Sequence, residues 1–476
     1  MDVAIIGGGA AAVGLLDALA AAQDSEPGTI TVFEPSPQLW RGRPYGPDLD
    51  AVVVNAPPAI MSVRHSDFGH YAAWLGTRGA AHLDQLLGHP LVPRALYGDY
   101  LAHTAQNAVA ALEESGRQVR VEAARVTEVA GAGGRLALRA DNGRAYPATH
   151  VALCVGSGSP PDPYALTGSP GYTADPYPLA ATLHGVGAID DVAIVGSGLT
   201  AVDVVVSLAA RGHTGRIALL SRSGVLPHVW QRPLDRRPRH ITAERVTQVH
   251  QQRAGNLTLD DLIGLLRAEL TDAAEDFDAF AAELMATGTE DPARRLRRQL
   301  AAVDDPRIGR RVLQEAAHTV GPYAWRLLSE ADRARLRRHL RLAASVASPM
   351  VPVNAAILMR LLESDQLAIV AGARAIERAN GRFRVHAARG AQLTAHAVIN
   401  AVNPAPQSVP DAARRLVRSL TGAGLATLHP GGGLVSADPR LHVVGDLAGG
   451  GSFITASIPG VAAQAKRAAQ ALLSSV

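Results

Sequence analysis

Residues 2–34 constrain the fold more than any other stretch of the chain. An apolar strand, a glycine-rich turn, a helix and a second strand follow one another and end at Glu34. Gly7 permits a tight strand-to-helix turn, Gly9 lets a pyrophosphate approach the backbone, and Ala12 lets the helix pack closely on the strands. The Glu34 carboxylate can accept hydrogen bonds from a ribose diol, and the helix N-terminus favours phosphate. This pattern predicts a dinucleotide-binding βαβ unit.

A second copy of the pattern lies further along the chain. Gly196, Gly198 and Ala201 repeat the spacing of the first turn. The second strand of this copy ends at Ser221 and Arg222, where the first copy has its carboxylate. A hydroxyl and a guanidinium can bind a 2′-phosphate, which a carboxylate would repel, so the second unit is predicted to select NADPH. The alternative is that Arg222 only points to solvent.

Composition excludes several function classes. The 476 residues suffice for two or three domains, and a formal charge of +3 is too small for this length to indicate nucleic-acid binding. Lys466 is the only lysine, which excludes a P-loop lysine and argues against Schiff-base chemistry. Cys154 is the only cysteine, so an intrachain disulfide, a dithiol redox pair and a cysteine metal cluster are all excluded.

Other sites and locations are not indicated. No apolar run reaches membrane-spanning length and no targeting segment is visible, so we expect a cytoplasmic protein without membrane partners. Histidines such as His65 and His70 lack the spacing of a helical metal site, and no metal is expected. Cys154 lies in an apolar strand, which favours a buried structural thiol over a nucleophile. No side chain is assigned as a catalytic acid or base.

The segment after Glu34 carries candidate flavin contacts. In this kind of fold it crosses near the pyrophosphate and the isoalloxazine ring, which makes Arg43 and Asn55 candidates. Equally, Arg43 could be a solvated loop charge and Asn55 a turn residue. Arg41, Arg43 and Arg64 could together hold an acidic substrate, with a solvated loop as the alternative of equal weight.

The middle of the chain predicts small sheets and an insertion. Residues 119–148 indicate an antiparallel meander, and the strand at 149–155 then returns to the first sheet. Residues 230–346 are rich in arginine and in helix-forming residues. Because aromatic residues do not interleave with the arginines, we expect solvated helix faces in a helical insertion and no nucleic-acid surface.

The C-terminal part repeats these features. Short strands are predicted from 367 to 401, and the strand at 396–402 mirrors the returning strand of the first half. A last strand ends in Gly445 and Asp446 before a helix. Asp446 at such a strand end suits a ribityl hydroxyl of FAD, with a turn or cap aspartate as the alternative.

Together these motifs resemble those of FAD- and NAD(P)-binding flavoproteins with paired dinucleotide domains. The motifs are, in order, Gly7, Gly9, Ala12, Glu34, residues 42–55, Gly196, Gly198, Ala201, Gly445 and Asp446. The relatives are flavin-containing and N-hydroxylating monooxygenases, and residues 42–62 and 196–227 look most like a bacterial subgroup that includes aspartate N-hydroxylases. The resemblance implies FAD at the first motif set and Asp446, and NADPH at the second with Arg222. One departure is Asn403, where the family has glycine.

The expected fold class is α/β, with two Rossmann-like dinucleotide-binding domains, small antiparallel meanders and a helical insertion. The FAD-binding domain is expected at 1–160 and 347–476, and the NADPH-binding domain at 188–346 with its insertion at about 230–346. The expected function is that of an FAD- and NADPH-dependent monooxygenase that uses dioxygen and N-hydroxylates a small amine or amino acid. The alternatives are an NADPH-dependent flavin oxidoreductase without oxygen insertion and a non-catalytic FAD-binding module. Homo-oligomerisation is left open.

Overall fold

The computed structural model describes residues 1–22, 27–234, 236–388, 392–450 and 457–474. The strands are β1 (Asp2–Ile6), β2 (Gly28–Phe33), β3 (Leu83–Asp84), β4 (His89–Pro90), β5 (Arg117–Glu122), β6 (Val126–Ala132), β7 (Arg135–Ala140), β8 (Ala145–Ala148), β9 (His150–Leu153), β10 (Tyr172–Thr173), β11 (Val192–Val195), β12 (Ile217–Ser221), β13 (Leu367–Ala371), β14 (Ala375–Ala379), β15 (Arg382–His386), β16 (Gln392–Ala395), β17 (Ala397–Asn400), β18 (Ala426–Leu428), β19 (Leu434–Ser436) and β20 (Leu441–Val443). The helices are α1 (Ala10–Ala20), α2 (His70–Leu75), α3 (Arg94–Glu114), α4 (Leu179–Thr182), α5 (Leu199–Ala210), α6 (Ala243–Gln252), α7 (Leu259–Asp272), α8 (Phe277–Met285), α9 (Pro292–Ala301), α10 (Gly309–Thr319), α11 (Gly321–Leu327), α12 (Glu330–Arg338), α13 (Leu340–Ala347), α14 (Pro352–Glu363), α15 (Arg414–Gly422) and α16 (Ile458–Leu473).

The first parallel sheet has the strand order β20-β9-β1-β2-β5. Its central strands β1 and β9 are buried almost throughout because both faces of the sheet are covered there, whereas the edge strand β5 is polar and largely exposed. Alternation along β1 sends Val3 and Ile5 into the core that contains α1, α3 and α16, while Ala4 and Ile6 face the antiparallel sheet β6-β7-β8 and α15. The carboxyl ends of these strands therefore meet at one edge, where the first glycine turn lies.

The second parallel sheet repeats this arrangement in the order β10-β17-β11-β12-β13. In β11, Val192 and Ile194 enter the core that contains α5 and α14, while Ala193 and Val195 face the antiparallel sheet β14-β15-β16. As predicted, β17 lies beside β11 as β9 lies beside β1. The α/β class, the paired Rossmann-like units and the small antiparallel sheets are thus confirmed.

The helical insertion consists of α6 to α13. It has a hydrophobic core of its own, formed by Val246, Leu270, Phe280 and Val312 among others. Thr258 and Asp261 form a reciprocal capping box at the start of α7, as expected for a helix begun by a polar cap. No helix in the described ranges is both long enough and apolar enough to cross a membrane.

Two parts of the expected organisation differ from the observed pairing. We expected residues 119–148 to form one meander, but β5 pairs in parallel with β2 and only β6 to β8 form the antiparallel sheet. We also placed residues 347–476 with the first unit, but β13 and β17 belong to the second sheet. The chain therefore returns to the first unit after residue 400. Short apolar strands carry the same pattern in either sheet, so their partners depend on contacts distant in sequence.

Candidate functional site

The first glycine turn joins β1 to α1 in the geometry that a dinucleotide requires. Gly7 has φ +104°, and a Cβ there would lie 2.3 Å from the Cys154 carbonyl oxygen. Ala12 is fully buried, which permits the close approach of helix and sheet. Gly9 caps α1 without any side-chain hydrogen bond, so the first N–H groups of the helix are not satisfied by a cap. These features fit a pyrophosphate.

Glu34 is tied directly to this turn. Its carboxylate accepts hydrogen bonds from the backbone N–H of Gly8 and of Ser36, both at 2.8 Å. These bonds hold the side chain at the end of β2, and two oxygens with several lone pairs retain capacity for a ribose diol. The Gly42 backbone lies next to Gly9, since a Cβ on Gly9 would be 3.5 Å from the Gly42 Cα.

The three arginines of the following loop do not form a common anion site. Each has its own carboxylate: Arg41 pairs with Asp99, Arg43 with Asp175, and Arg64 with Asp17. Arg43 also lies over the Tyr177 ring, 5.4 Å from its centroid, so it bridges the first unit to the linker before the second. The cluster therefore gives no support to the idea of an acidic-substrate site at these arginines.

Asn55 lies at the contact between the first unit and the helical insertion. The Trp230 indole N–H donates a 2.7 Å hydrogen bond to the Asn55 backbone carbonyl. The Asn55 Oδ1 atom is buried and has no hydrogen-bond partner among the described residues. A buried amide oxygen without a partner is a position where a ligand donor would be stabilised. Sequence reasoning missed Trp230, whose only signal was an aromatic residue at the start of the arginine-rich stretch.

Trp230 in turn connects to the start of α16. Its ring stacks on His318, and the His318 Nε2 atom lies 2.6 Å from the Ala347 carbonyl. Burial lowers the pKa of His318, so the ring is neutral and Nε2 carries the proton because a carbonyl only accepts. The Nδ1 atom then accepts from the Ser457 hydroxyl at 3.3 Å. Ser457 caps α16, the helix that follows Asp446.

The strand end before α16 has the geometry of a tight ligand-side turn. Gly445 is buried with φ +95°, and its N–H donates to the Gln464 side chain at 2.6 Å. Asp446 is half-buried at the carboxyl end of β20. Both residues lie at the same sheet edge as the first glycine turn, since a Cβ on Gly445 would be 3.5 Å from the Ala11 Cβ.

The second glycine turn reproduces the first. Gly196 has φ +124°, and a Cβ there would lie 2.8 Å from the Ala401 carbonyl oxygen, while Ala201 is fully buried. Gly198 caps α5 without a side-chain bond, and a Cβ on it would meet no atom within 4 Å. This open space fits a phosphate. The Asn403 side chain, at the position of the missing glycine, accepts from the Thr200 hydroxyl at 3.1 Å.

Ser221 and Arg222, the two residues predicted to contact a 2′-phosphate, lie at the end of β12. The Ser221 hydroxyl accepts a hydrogen bond from the Gly224 N–H at 2.8 Å. Arg222 is exposed, and no ion pair of its guanidinium is found within the described ranges. Burial raises the pKa of the Tyr164 phenol, and the nearby positive charge of Arg222 partly opposes this rise. A 2′-phosphate contact by Arg222 stays a prediction.

A buried ion pair joins the two units. Arg94 at the start of α3 lies 2.6 Å from the Asp203 carboxylate on α5, with side chains 10% and 1% exposed. Arg94 also donates to the Val53 carbonyl and to the Tyr177 hydroxyl, which itself donates to Asp203. Burial is the largest single influence and acts to lower the pKa of Arg94, but Asp203, Tyr177 and Tyr45 together outweigh it and raise that pKa. The two glycine turns are thus held in fixed relation.

Redox or metal chemistry from the chain itself finds little support. Burial raises the pKa of the Cys154 thiol to about 12, so it is protonated and inert near neutral pH. The described residues contain no group of three His, Cys, Asp or Glu side chains placed to hold a metal ion.

Two of the cavities beside the helical insertion also reach other parts of the chain. The larger, about 640 Å³, runs along α16 and the edge strand β20, and is lined by His318, Arg467 and His442 among others. The smaller, about 360 Å³, lies between residues 57–68 and α10 and includes Trp230 in its wall. Only the smaller one adjoins the Asn55–Trp230 contact.

Comparisons with known proteins agree with this geometry. Residues 4–158 match the family model described as FAD-NAD(P)-binding, which makes this segment an FAD/NAD(P)-binding domain. No curated protein matches the sequence. The fold is similar to that of L-lysine 6-monooxygenase from Pseudomonas syringae, with a TM-score of 0.58 and 17% identity over 100% of this chain and 99% of that one.

Two further solved structures have the same fold. The ornithine N-hydroxylase from Kutzneria sp. 744, with reduced FAD, NADP⁺ and L-ornithine, has a TM-score of 0.52 and 14% identity over 100% and 99% of the chains. The FAD-bound cadaverine monooxygenase from Erwinia amylovora has a TM-score of 0.56 and 10% identity over 99% and 94%. The fold of this chain is therefore similar to the fold of these three monooxygenases.

Proposed function

We propose that the chain is an FAD- and NADPH-dependent monooxygenase that N-hydroxylates a small amine or amino acid. The observation that carries the proposal is the pair of glycine turns, each followed by an uncapped helix, in two units clamped by Arg94 and Asp203. The named substrates of the three structural neighbours, lysine, ornithine and cadaverine, are all small amines.

The first unit is proposed to bind FAD. Gly7, Gly9 and Ala12 would admit the pyrophosphate, and Glu34 would accept from the ribose. Toward the ring, the Asn55 amide and Asp446 would contact the flavin and its ribityl chain, with Gly445 allowing the close approach. Arg43 would act only through its contacts with Asp175 and Tyr177, which fix the loop that covers the turn.

The second unit is proposed to bind NADPH. Gly196, Gly198 and Ala201 would admit its pyrophosphate, while Ser221 and Arg222 would hold the 2′-phosphate. When bound, FAD supplies hydride acceptance from NADPH and the reaction of the reduced flavin with dioxygen. The chain's own residues position the two nucleotides, and the insertion would exclude water through the Trp230 contact.

The domain boundaries and location belong to the same proposal. We assign residues 1–160 and 401–476 to the FAD-binding domain, and 161–400 to the NADPH-binding domain with its insertion at 230–346. A cytoplasmic location is proposed because the single cysteine and the use of NADPH suit a reducing compartment.

Purified protein tests the proposal. The expected result is a yellow protein that retains FAD, oxidises NADPH faster than NADH, and forms one hydroxylamine per NADPH when supplied with an accepted amine. Stoichiometric hydrogen peroxide with every amine tried would instead favour the oxidoreductase without oxygen insertion. A colourless protein that consumes no NADPH after incubation with FAD would refute the proposal.

A further inference from the structure

The larger cavity is distinguished by the charge of its walls. Its volume is about 640 Å³, and α11, α16, β20 and residues 62–68 contribute to its lining. No aspartate or glutamate of the described ranges lies in these walls. The basic side chains that line the cavity are Arg64, His65, His318, Arg326, His442 and Arg467.

Two of these arginines lack a carboxylate partner. The Arg64 guanidinium donates to both oxygens of Asp17, at 3.1 and 2.7 Å, so its charge is neutralised. In contrast, Arg326 and Arg467 form no ion pair and no side-chain hydrogen bond with any residue that the structure describes. Both residues are exposed, so a ligand can reach their N–H donors.

The unpaired positive charges disfavour one another. Burial and the charge of Arg326 lower the pKa of Arg467 to about 10, although arginine is ordinarily protonated well above this value. Burial, Arg467 and Lys466 likewise lower the pKa of His65 in the facing wall. Each cation therefore makes its neighbour harder to protonate, and an anion placed between them would relieve this repulsion.

Arg326 is held in place without using its hydrogen-bond donors. Its guanidinium lies over the Tyr323 ring, 5.6 Å from the centroid. The Tyr323 hydroxyl forms a 2.7 Å hydrogen bond with the Thr247 hydroxyl, which fixes the ring. A guanidinium that contacts an aromatic face keeps the donors at its edge free, so Arg326 is positioned but not satisfied.

The larger cavity is separate from the residues that we assign to the nucleotides. None of the residues assigned above to FAD or NADPH lines it. Arg467 follows Gly460 by seven residues in α16, which places it about 10 Å along the helix axis from that glycine. The wall also includes all three residues of β20, Leu441–Val443. A ligand at Arg467 would therefore lie beside β20, away from the sheet edge that carries the first glycine turn.

We propose that Arg326 and Arg467 together bind a small oxyanion with two or more negative charges, of the phosphate or dicarboxylate type. The planar guanidinium matches both kinds of oxyanion, and two of them without a carboxylate suit a multiply charged ligand. The bound anion would join α11 of the helical insertion to α16 of the first unit. The proposal does not depend on the function proposed above.

Calorimetric titration of the full-length protein tests the binding. The probes are inorganic pyrophosphate, succinate and acetate, in buffers of equal ionic strength so that screening is the same for all three. We expect pyrophosphate or succinate to bind at least about tenfold more tightly than acetate, with a Kd below about 1 mM. The tighter of the two identifies the ligand as phosphate-type or dicarboxylate-type. Binding of neither at about 1 mM, or equal binding of acetate, would overturn the proposal.

Arg326→Gln and Arg467→Gln locate the bound probe. Each should weaken binding of the tighter probe at least about tenfold. Arg418→Gln, which removes the same charge from an exposed position on α15, is the matched control and should bind like the wild type. Arg222→Gln should also bind like the wild type, because the predicted 2′-phosphate contact is a different site. Unchanged binding by Arg467→Gln, or an equal loss in Arg222→Gln or Arg418→Gln, would refute the assignment.

Thermal unfolding gives a second readout. Without a probe, Arg467→Gln should unfold at a temperature no lower than the wild type, because the variant loses a repulsion and no ion pair. The tighter probe should raise the unfolding temperature of the wild type and of Arg418→Gln, but not that of Arg467→Gln. A lower unfolding temperature of Arg467→Gln without a probe would make this arginine a structural partner and count against the site. An equal rise in all three proteins would also contradict it.

Discussion

The Trp230 indole Nε1 donates a 2.7 Å hydrogen bond to the backbone carbonyl of Asn55. This single bond links the helical insertion to the loop that we assign to the flavin. The same indole forms part of the wall of the smaller cavity and stacks on His318. Substitutions of Trp230 should therefore lower both the stability of the protein and its retention of FAD.

Trp230→Phe keeps an aromatic ring against His318 but removes the donor. Loss of the bond should lower the free energy of unfolding by about 1 kcal/mol and weaken FAD retention, because the Asn55 loop loses its anchor. Urea denaturation with and without added FAD measures both effects. Trp74→Phe, in the first unit, is the control because the Trp74 indole N–H has no hydrogen bond to any residue that the structure describes. An equal loss of FAD in both variants would contradict the prediction.

The Arg94–Asp203 pair should be a large stabilising interaction between the units. Arg94→Met leaves Asp203 buried without its cation, which should lower the free energy of unfolding by about 3–5 kcal/mol. The double variant Arg94→Met/Asp203→Leu should recover much of this loss, since no buried charge remains. Chemical denaturation of the four proteins of this cycle gives the coupling. An additive double variant would show that the pair is not coupled.

The exposed pair Arg216–Asp191 provides the comparison for that cycle. Its guanidinium is solvated, so Arg216→Met should leave the denaturation midpoint nearly unchanged. A loss equal to that of Arg94→Met would mean that burial is not what makes the Arg94 pair important.

Stability should fall in mild acid because of His228. Burial, together with Arg295 and Arg310, lowers the pKa of His228 from 6.5 to about 3. Between pH 6.5 and about pH 3, the unfolded chain binds a proton at His228 that the folded chain excludes. As the pH falls through this range, His228 therefore lowers the free energy of unfolding by about 1.4 kcal/mol per pH unit. Above pH 6.5 the contribution disappears.

His228→Gln should flatten this dependence. Denaturation midpoints at pH 7 and pH 5 would be compared for the wild type, His228→Gln and the control His184→Gln, which changes an exposed ring. The stability lost between the two pH values should shrink only in His228→Gln. The same loss in all three proteins would contradict the assignment to His228.

Nucleotide preference should depend on Arg222. Arg222→Ala removes the exposed guanidinium at the end of β12, so the KM for NADPH should rise about tenfold or more while that for NADH stays nearly constant. Steady-state kinetics with both nucleotides measure this, with Arg211→Ala at the end of α5 as the control. A parallel change for both nucleotides would refute a 2′-phosphate contact.

Two neighbouring glycines should behave differently when replaced. Gly196→Ala places a Cβ 2.8 Å from the Ala401 carbonyl at φ +124°, which should destabilise the fold by about 1–3 kcal/mol. Gly198→Ala enters open space at φ −85°, so the fold should be retained while NADPH binding weakens. Thermal unfolding and fluorescence titration with NADPH separate the two effects, and normal NADPH affinity of Gly198→Ala would contradict the site.

The sequence was sufficient for the local features of this fold. The glycine turns and the returning strands β9 and β17 follow from the sequence because each depends on contiguous residues with special backbone or burial needs. The ribose contact of Glu34 stays a prediction. The sheet positions of β5 and β13 were not predicted, because they depend on pairing with strands that are distant in sequence. The smaller cavity beside Trp230 was missed for the same reason, because its lining residues come from segments that are far apart in the sequence.

The helical insertion folds around an apolar centre of its own, separate from the two nucleotide units. A module of this kind can accumulate substitutions, or be replaced whole, without disturbing the two units that we propose to bind FAD and NADPH. Substitutions in the helical insertion could therefore change which compound is bound, while the two nucleotide-binding units stay the same.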